Sequence, residues 1–228
     1  MIPYRLPLIL LGVLLSFPIF SQTYIGIKGG FNQSKSTFIF NIEPNSVISS
    51  TDLLGFHFSV PAEIEVNELF NFLPEIAIVS EGTILSSQVQ EEQRIYNNSI
   101  TYLKFPIMGK LKLLKNKHYE FGIVGGVVPA LALDVSSFYF GSMDWNRTVH
   151  LPIDFEEAGI KRFDLALSLG LNTEKVIAKG LKITLDVRYN LGMLNIENRS
   201  NITTTTESFN LTVGLLTPLF RKGKKTNL

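Results

Sequence analysis

TYLKFPIMGKL, residues 101–111, separates into two sets when every second residue is taken. Leu103, Phe105, Ile107, Gly109 and Leu111 carry no charge, whereas Tyr102, Lys104, Pro106, Met108 and Lys110 mix charged, aromatic and apolar groups. Successive side chains of a β-strand point to opposite faces, so this alternation predicts a two-faced strand over 101–111.

Working outward, the same alternation recurs over 23–31, 54–66, 69–80, 119–133, 162–171, 181–192 and 208–216, which makes eight expected strands. In 54–66, Phe56, Phe58, Val60, Ala62 and Ile64 oppose Gly55, His57, Ser59, Pro61 and Glu63. In 181–192, the series Ile183, Leu185, Val187, Tyr189 opposes Lys182, Thr184, Asp186, Arg188. The segments between them are alternately long and polar (32–52, 81–99, 134–161, 193–207) and short (67–68, 116–117, 172–180). Antiparallel strands joined in this way carry the four long loops at one end and the short turns at the other.

Two architectures suit eight such strands: a soluble lipocalin-type barrel with an apolar interior, and an outer-membrane barrel with an apolar exterior. The charges decide between them. Glu63, Glu75, Lys104, Lys110, Asp164, Asp186 and Arg188 all fall on the mixed face, which otherwise holds small and apolar residues such as Gly55, Ala77, Met108 and Gly170. A water-facing surface would be richer in lysine and glutamate. Small residues with both signs of charge suit a narrow interior filled by side chains. Lysine or arginine on a lipid face costs roughly 2–4 kcal/mol near the bilayer centre, and the other face is clean. The expected fold is therefore all-β, an eight-stranded antiparallel up-and-down transmembrane barrel, with four long extracellular loops, short periplasmic turns and no open pore. Tyr24, Phe31, Phe70, Tyr119, Phe121, Phe163, Tyr189 and Phe209 are expected in its interfacial girdles.

Composition narrows the function classes. Hydrophobic residues at 45% and 17 phenylalanines exclude a disordered chain, and a net charge of +1 argues against nucleic acid as a partner. With no cysteine there are neither disulfides nor thiolate metal ligands. Residues 1–21 pair Arg5 with the apolar run Leu8 to Leu15 and a serine-flanked end, the pattern of a secretory signal peptide. The barrel domain is expected over 22–220, and the basic segment 221–228 as a periplasmic tail.

The segments IGIKGGFN (25–32), GFHFSVPAEIEV (55–66), FLPEIAIVSEG (72–82), TYLKFPIMGKL (101–111), DLALSLGLN (164–172) and DVRYNLGMLNI (186–196) stand in an order that resembles the PorT-like outer-membrane β-barrel proteins of Bacteroidetes. Two departures stand out. Lys104 occupies the place of a glutamate in a YLEIP-like motif, and Phe220 is followed by eight residues although such chains tend to end on an aromatic. The resemblance implies an outer-membrane location, with outer-membrane lipid and the barrel-insertion machinery as partners; from the residues themselves no enzymatic activity is expected.

The seven charged residues above are expected to form a lumen network in which opposite charges satisfy one another, since an unpaired buried charge is very costly. Glu75 is the expected partner of Lys104. The pair His57 and Ser59 suggests an alternative, a small-molecule or lipid-handling barrel with lipid-modifying chemistry, although both face the predicted interior. The scattered histidines His118 and His150 do not make a metal site, and no cofactor is expected. In the 134–161 loop, Phe138, Tyr139, Phe140, Met143 and Trp145 form a candidate partner-binding surface, or a plug over the barrel mouth. The chain is expected to be a monomer of structural or interaction type.

Overall fold

The computed structural model describes residues 23–40, 48–89, 92–141, 149–152, 155–178, 180–199 and 202–219. Among these residues ten strands and one short helix follow in order. They are β1 (Thr23–Phe40), β2 (Ile48–Glu65), β3 (Phe70–Val89), β4 (Glu92–Lys104), β5 (Ile107–Lys115), β6 (Tyr119–Gly141), β7 (Val149–Pro152), α1 (Phe155–Ala158), β8 (Phe163–Ala178), β9 (Leu181–Gly192) and β10 (Ile202–Pro218). All pairings are antiparallel. They run from β1 to β2, β3, the β4–β5 pair, β6, β8, β9 and β10, and β10 then pairs with β1 from Tyr24↔Pro218 to Phe40↔Ile202. The sheet therefore closes on itself and leaves no long open edge.

The stretch 101–111 is not one continuous strand. It breaks at Phe105 and Pro106, because proline has no N–H to give the ladder. The backbone nonetheless stays paired across the break: Phe105 N donates to Pro129 O at 2.9 Å, and Glu75 N donates to Pro106 O at 3.0 Å. β4 and β5 thus act as one stave of the wall.

The strands are also longer than their hydrophobic pattern. β1 continues to Phe40 and β2 begins at Ile48, so most of the loop expected at 32–52 is wall. The loop expected at 81–99 is a hairpin of β3 and β4 paired as far as Val89↔Glu92. β6 takes in 134–141, with β7 and α1 within the rest of the expected 134–161 loop. The turn expected at 172–180 tightens to Ala178↔Leu181, with Gly180 at φ +87° in a conformation that suits glycine. β10 starts at Ile202, inside the loop expected at 193–207. The reason is visible in β1 and β10. Beyond Phe31 and Phe209 the outward residues become Gln33, Lys35 and Thr37 on one strand and Glu207, Thr205 and Thr203 on the other. Polar side chains then stand on both faces, and the period-2 hydrophobic signal disappears although the ladder goes on.

Outward residues form an apolar band around the wall, including Ile27, Phe31, Phe56, Phe58, Ile76, Leu111, Leu167, Leu169, Val213 and Leu215, all exposed. This is the inverse of a lipocalin-type barrel and removes the soluble alternative. A membrane strand needs about 9–11 residues to cross, so strands of 18, 20 and 23 residues in β1, β3 and β6 extend well past the band at the end opposite the short turns. Of the expected girdle residues, Phe31, Phe70, Tyr119, Phe163, Tyr189 and Phe209 are exposed. Phe121 is half-buried. Tyr24 is a correction: it points inward, its ring beneath the Lys182 ammonium, because it shares the phase of Lys28.

Inside, apolar side chains fill part of the cross-section. Leu73, Met108, Val124, Val128 and Ala166 form one patch, and Ile100, Tyr102, Ala130, Ala132, Val135 and Ile196 another.

Candidate functional site

The inward phase of each strand brings the charged residues together in three tiers. At the turn end, the Lys110 ammonium lies 2.5 Å from Glu120 and 2.5 Å from Glu174. Lys182 bonds the second oxygen of Glu174 at 2.8 Å and Glu63 at 3.0 Å. Asn71 Nδ2 donates to Glu63 at 2.6 Å. Three carboxylates face two ammonium groups, so the tier carries one surplus negative charge if all are ionised. One oxygen from each of Glu63, Glu120 and Glu174 lies within 4.8 Å of the others, a spacing a cation would accept. The two lysines already occupy that role.

The middle tier is balanced. Arg188 donates to Glu75 at 3.1 Å and to Asp186 at 3.2 Å. Lys28 bonds Asp186 and stands 3.6 Å from Glu75. Asn172 also donates to Asp186, at 2.9 Å. These groups come from β1, β3, β8 and β9, so they tie together staves that do not all touch in the sheet. His57 lies 3.3 Å from Glu75 and 3.3 Å from Asn210.

In the upper tier Lys104 bonds Glu81 at 2.5 Å, with the Tyr102 ring 5.4 Å from its ammonium. Asp164 accepts from Thr206 Oγ1 at 3.0 Å and from the Leu165 amide at 2.7 Å.

All seven residues expected in the network are buried, but they do not make one cluster. Lys104 is not the partner of Glu75. Its strand neighbour is Ala77, and its side chain extends toward the far end of β3 to Glu81, while Glu75 reaches across the interior to Lys28 and Arg188. Five members escaped the sequence reading: Lys28, Glu81, Glu120, Glu174 and Lys182. Lys28 and Lys182 lie on the inward phase of strands already recognised, so the alternation contained the signal. Glu81 and Glu174 fall on stretches read as loop and turn.

Outside the apolar band, at the turn end, Glu65 accepts from Lys115 at 2.7 Å and from Lys112 at 3.0 Å. Burial pushes its carboxyl up, but the two lysines outweigh that and hold it below the usual carboxylate range.

His57 and Ser59 both point into the barrel, buried, and Ser59 Oγ has no hydrogen-bond partner among the described residues. Neither reaches lipid, and the histidine is engaged by Glu75 and Asn210 rather than by the serine. Phe138, Tyr139 and Phe140 lie on the backbone of β6, opposite Asn97, Tyr96 and Ile95 of β4, rather than in a loop. Met143 and Trp145 lie outside the described residues, as do 1–21 and 221–228.

A closed antiparallel wall with lipid-compatible residues outside and paired charges inside is the arrangement of an outer-membrane barrel. The model of the outer membrane protein beta-barrel domain family matches residues 20–198. The chain belongs to that family. Its location is thus the outer membrane of a Gram-negative cell. Among solved structures, the outer membrane protease OmpT from Escherichia coli is similar, with a TM-score of 0.51 at 11% identity over 89% of this chain and 98% of that one. Ail, the attachment invasion locus protein of Yersinia pestis, gives 0.42 at 12% identity over 86% of this chain and 99% of its own. Neisserial surface protein A gives 0.39 at 10% identity over 85% and 95%. At such identities OmpT speaks for the fold alone. No curated protein matches the chain.

Proposed function

We propose that this chain is an integral outer-membrane barrel of structural or interaction type, without an open pore. Its eight staves, counting β4 and β5 as one, cross the membrane once each. The termini and short turns are periplasmic, and the long strand extensions with their connections stand outside. Within the family, the ordered motifs quoted above favour the PorT-like branch of Bacteroidetes, exported by a signal peptide at 1–21 and assembled by the barrel-insertion machinery. A role as an accessory to secretion or surface assembly fits a barrel that presents connections to the exterior and carries no channel. Protein partners are then met at the extracellular end, near the 138–145 aromatics.

The observation that carries this reading is the middle tier. Four ionised groups from β1, β3 and β9 meet inside a narrow wall. Displacing them to open a channel would unpair charges in a poorly solvated interior, which costs several kcal/mol. The test has two parts. Cell fractionation and electrophoresis of unheated against heated samples should place the protein in outer membrane with a heat-dependent mobility shift. In planar bilayers the folded protein should give no steady single-channel conductance. A soluble periplasmic protein without the shift would refute the membrane reading; stable, ion-conducting openings would refute the closed lumen.

A further inference from the structure

Above Phe163 and Gly192 the wall has a notch. β8 begins and β9 ends there, while their outer neighbours β6 and β10 run on to Gly141 and from Ile202. The gap is closed by a small cap made of α1 and two flanking segments. Ile160 and Glu197 form an antiparallel bridge, Lys161 N donates to Ile196 O at 2.7 Å, and Asn198 N donates to Gly159 O at 2.7 Å. Asn195 Oδ1 binds the amides of Glu197 and Thr204, which ties the cap to β10. The cap is therefore hydrogen-bonded structure.

Between cap and wall lies a cavity of about 190 Å³. Leu85, Ile100 and Val135 line it from the wall, and Ala158, Ile160 and Ile196 from the cap. An apolar cavity of about 150 Å³ stays dry and accepts a benzene ring, so this one suits a single ring with a short substituent. The charged residues at its border answer each other: Arg199 grips Glu197 through two hydrogen bonds of 2.8 and 3.0 Å. Among the described residues that line the cavity, no net charge is left for a ligand to neutralise. Ser36, Thr83 and Asn98 add polar groups to the lining, and a further one, Thr204, stands out. Thr204 lines the cavity, is 5% exposed, and its buried Oγ1 has no hydrogen-bond partner among the described residues. A buried hydroxyl of this kind is destabilising unless something satisfies it.

We infer that this cavity, at the long-strand end of the barrel, is a binding site for a small uncharged molecule: one apolar ring bearing a single hydrogen-bonding group, the group meeting Thr204. The site owes nothing to the ion-pair tiers and would add ligand recognition to a barrel that conducts nothing.

The test uses the full-length mature protein in phosphatidylcholine nanodiscs with labelled isoleucine methyls, titrated with 4-methylphenol and, separately, toluene. Ile100, Ile160 and Ile196 should show saturable shifts, while Ile76 and Ile183 on the outer face follow probe partitioning into lipid and do not saturate. Val135→Phe, which fills the cavity, should abolish the saturable shifts. Thr204→Val should weaken 4-methylphenol by roughly two- to tenfold, the worth of one neutral hydrogen bond, and change toluene affinity less than about twofold. Each variant is checked for the parent's heat-dependent mobility shift. Shifts at Ile100, Ile160 and Ile196 that merely parallel those of Ile76 would overturn the inference. So would saturable shifts that survive Val135→Phe in a folded protein, or a Thr204→Val variant that binds both probes as the parent does.

Discussion

Replacing Arg188 by methionine tests the interior directly. Arg188 is buried and engages Glu75 and Asp186 at 3.1 and 3.2 Å. At an effective dielectric of about 20, each contact is worth a gross attraction of about 5 kcal/mol. Methionine forfeits both attractions but also removes the cost of burying a guanidinium, several kcal/mol in its own right. Lys28 then serves two carboxylates alone, and one negative charge is uncompensated. The expected net loss is about 3–5 kcal/mol, the usual result of breaking a buried pair from one side. Restoring neutrality should reverse much of it. In Arg188→Met combined with Glu75→Gln, Lys28 still pairs with Asp186, so at least about half of the loss should return and the double variant should lose far less than the sum of the two singles. The assay is reversible urea unfolding in phosphatidylcholine vesicles, read by the unheated mobility shift and fitted with a common slope. A single variant within about 1 kcal/mol of the parent, or a double variant whose loss equals the sum of the singles, would refute the view that these four charges act as one closed set.

Other outcomes follow from the wall and its ends. Leu167→Arg puts a cation on the outer face and should cost about 2–4 kcal/mol in the same unfolding assay, against far less for Leu167→Ala; equal effects would deny that this face meets lipid. Gly30→Ala should cost about 1–3 kcal/mol, because a Cβ there would press on the Leu211 carbonyl and come within 2.7 Å of Thr212 Cα; unchanged stability would mean that the two strands can part at no cost. Glu65 has its folded pKa held down by Lys115 and Lys112, so its stabilisation is present above the unfolded value near 4.3 and is lost as pH falls through the folded one. Glu65→Gln should therefore flatten that part of the acid limb of stability against pH. The effect is small, since the cluster is partly solvated.

Much of the wall was legible because lipid and lumen make opposite demands on alternate residues. Phe56, Phe58 and Val60 against His57, Ser59 and Glu63 assign the two faces of β2 without coordinates. Lys28 and Lys182 were legible in principle from the same phase. The strand extensions were not, since Lys35, Thr37, Thr203 and Thr205 meet water outside while serines and threonines also face inward, and no contrast of hydropathy marks the alternation. Glu81 and Glu174 were hidden with them. Pro106 could be read as a ladder defect, but that Phe105 N finds Pro129 O across it could not.

What the sequence determined by itself is which side of each membrane-crossing stretch faces lipid, because that depends on residue type at a spacing of two and on nothing distant. Which charges meet was decided only by the closed sheet. Ring closure and the register of neighbouring strands set the height of every inward side chain, and by that height Lys104 reaches Glu81 while Glu75 belongs to Lys28 and Arg188. The capped cavity is likewise a tertiary product: it exists because β8 and β9 stop short of their neighbours, and residues from β3, β4, β6, β10 and the cap converge on the space left behind.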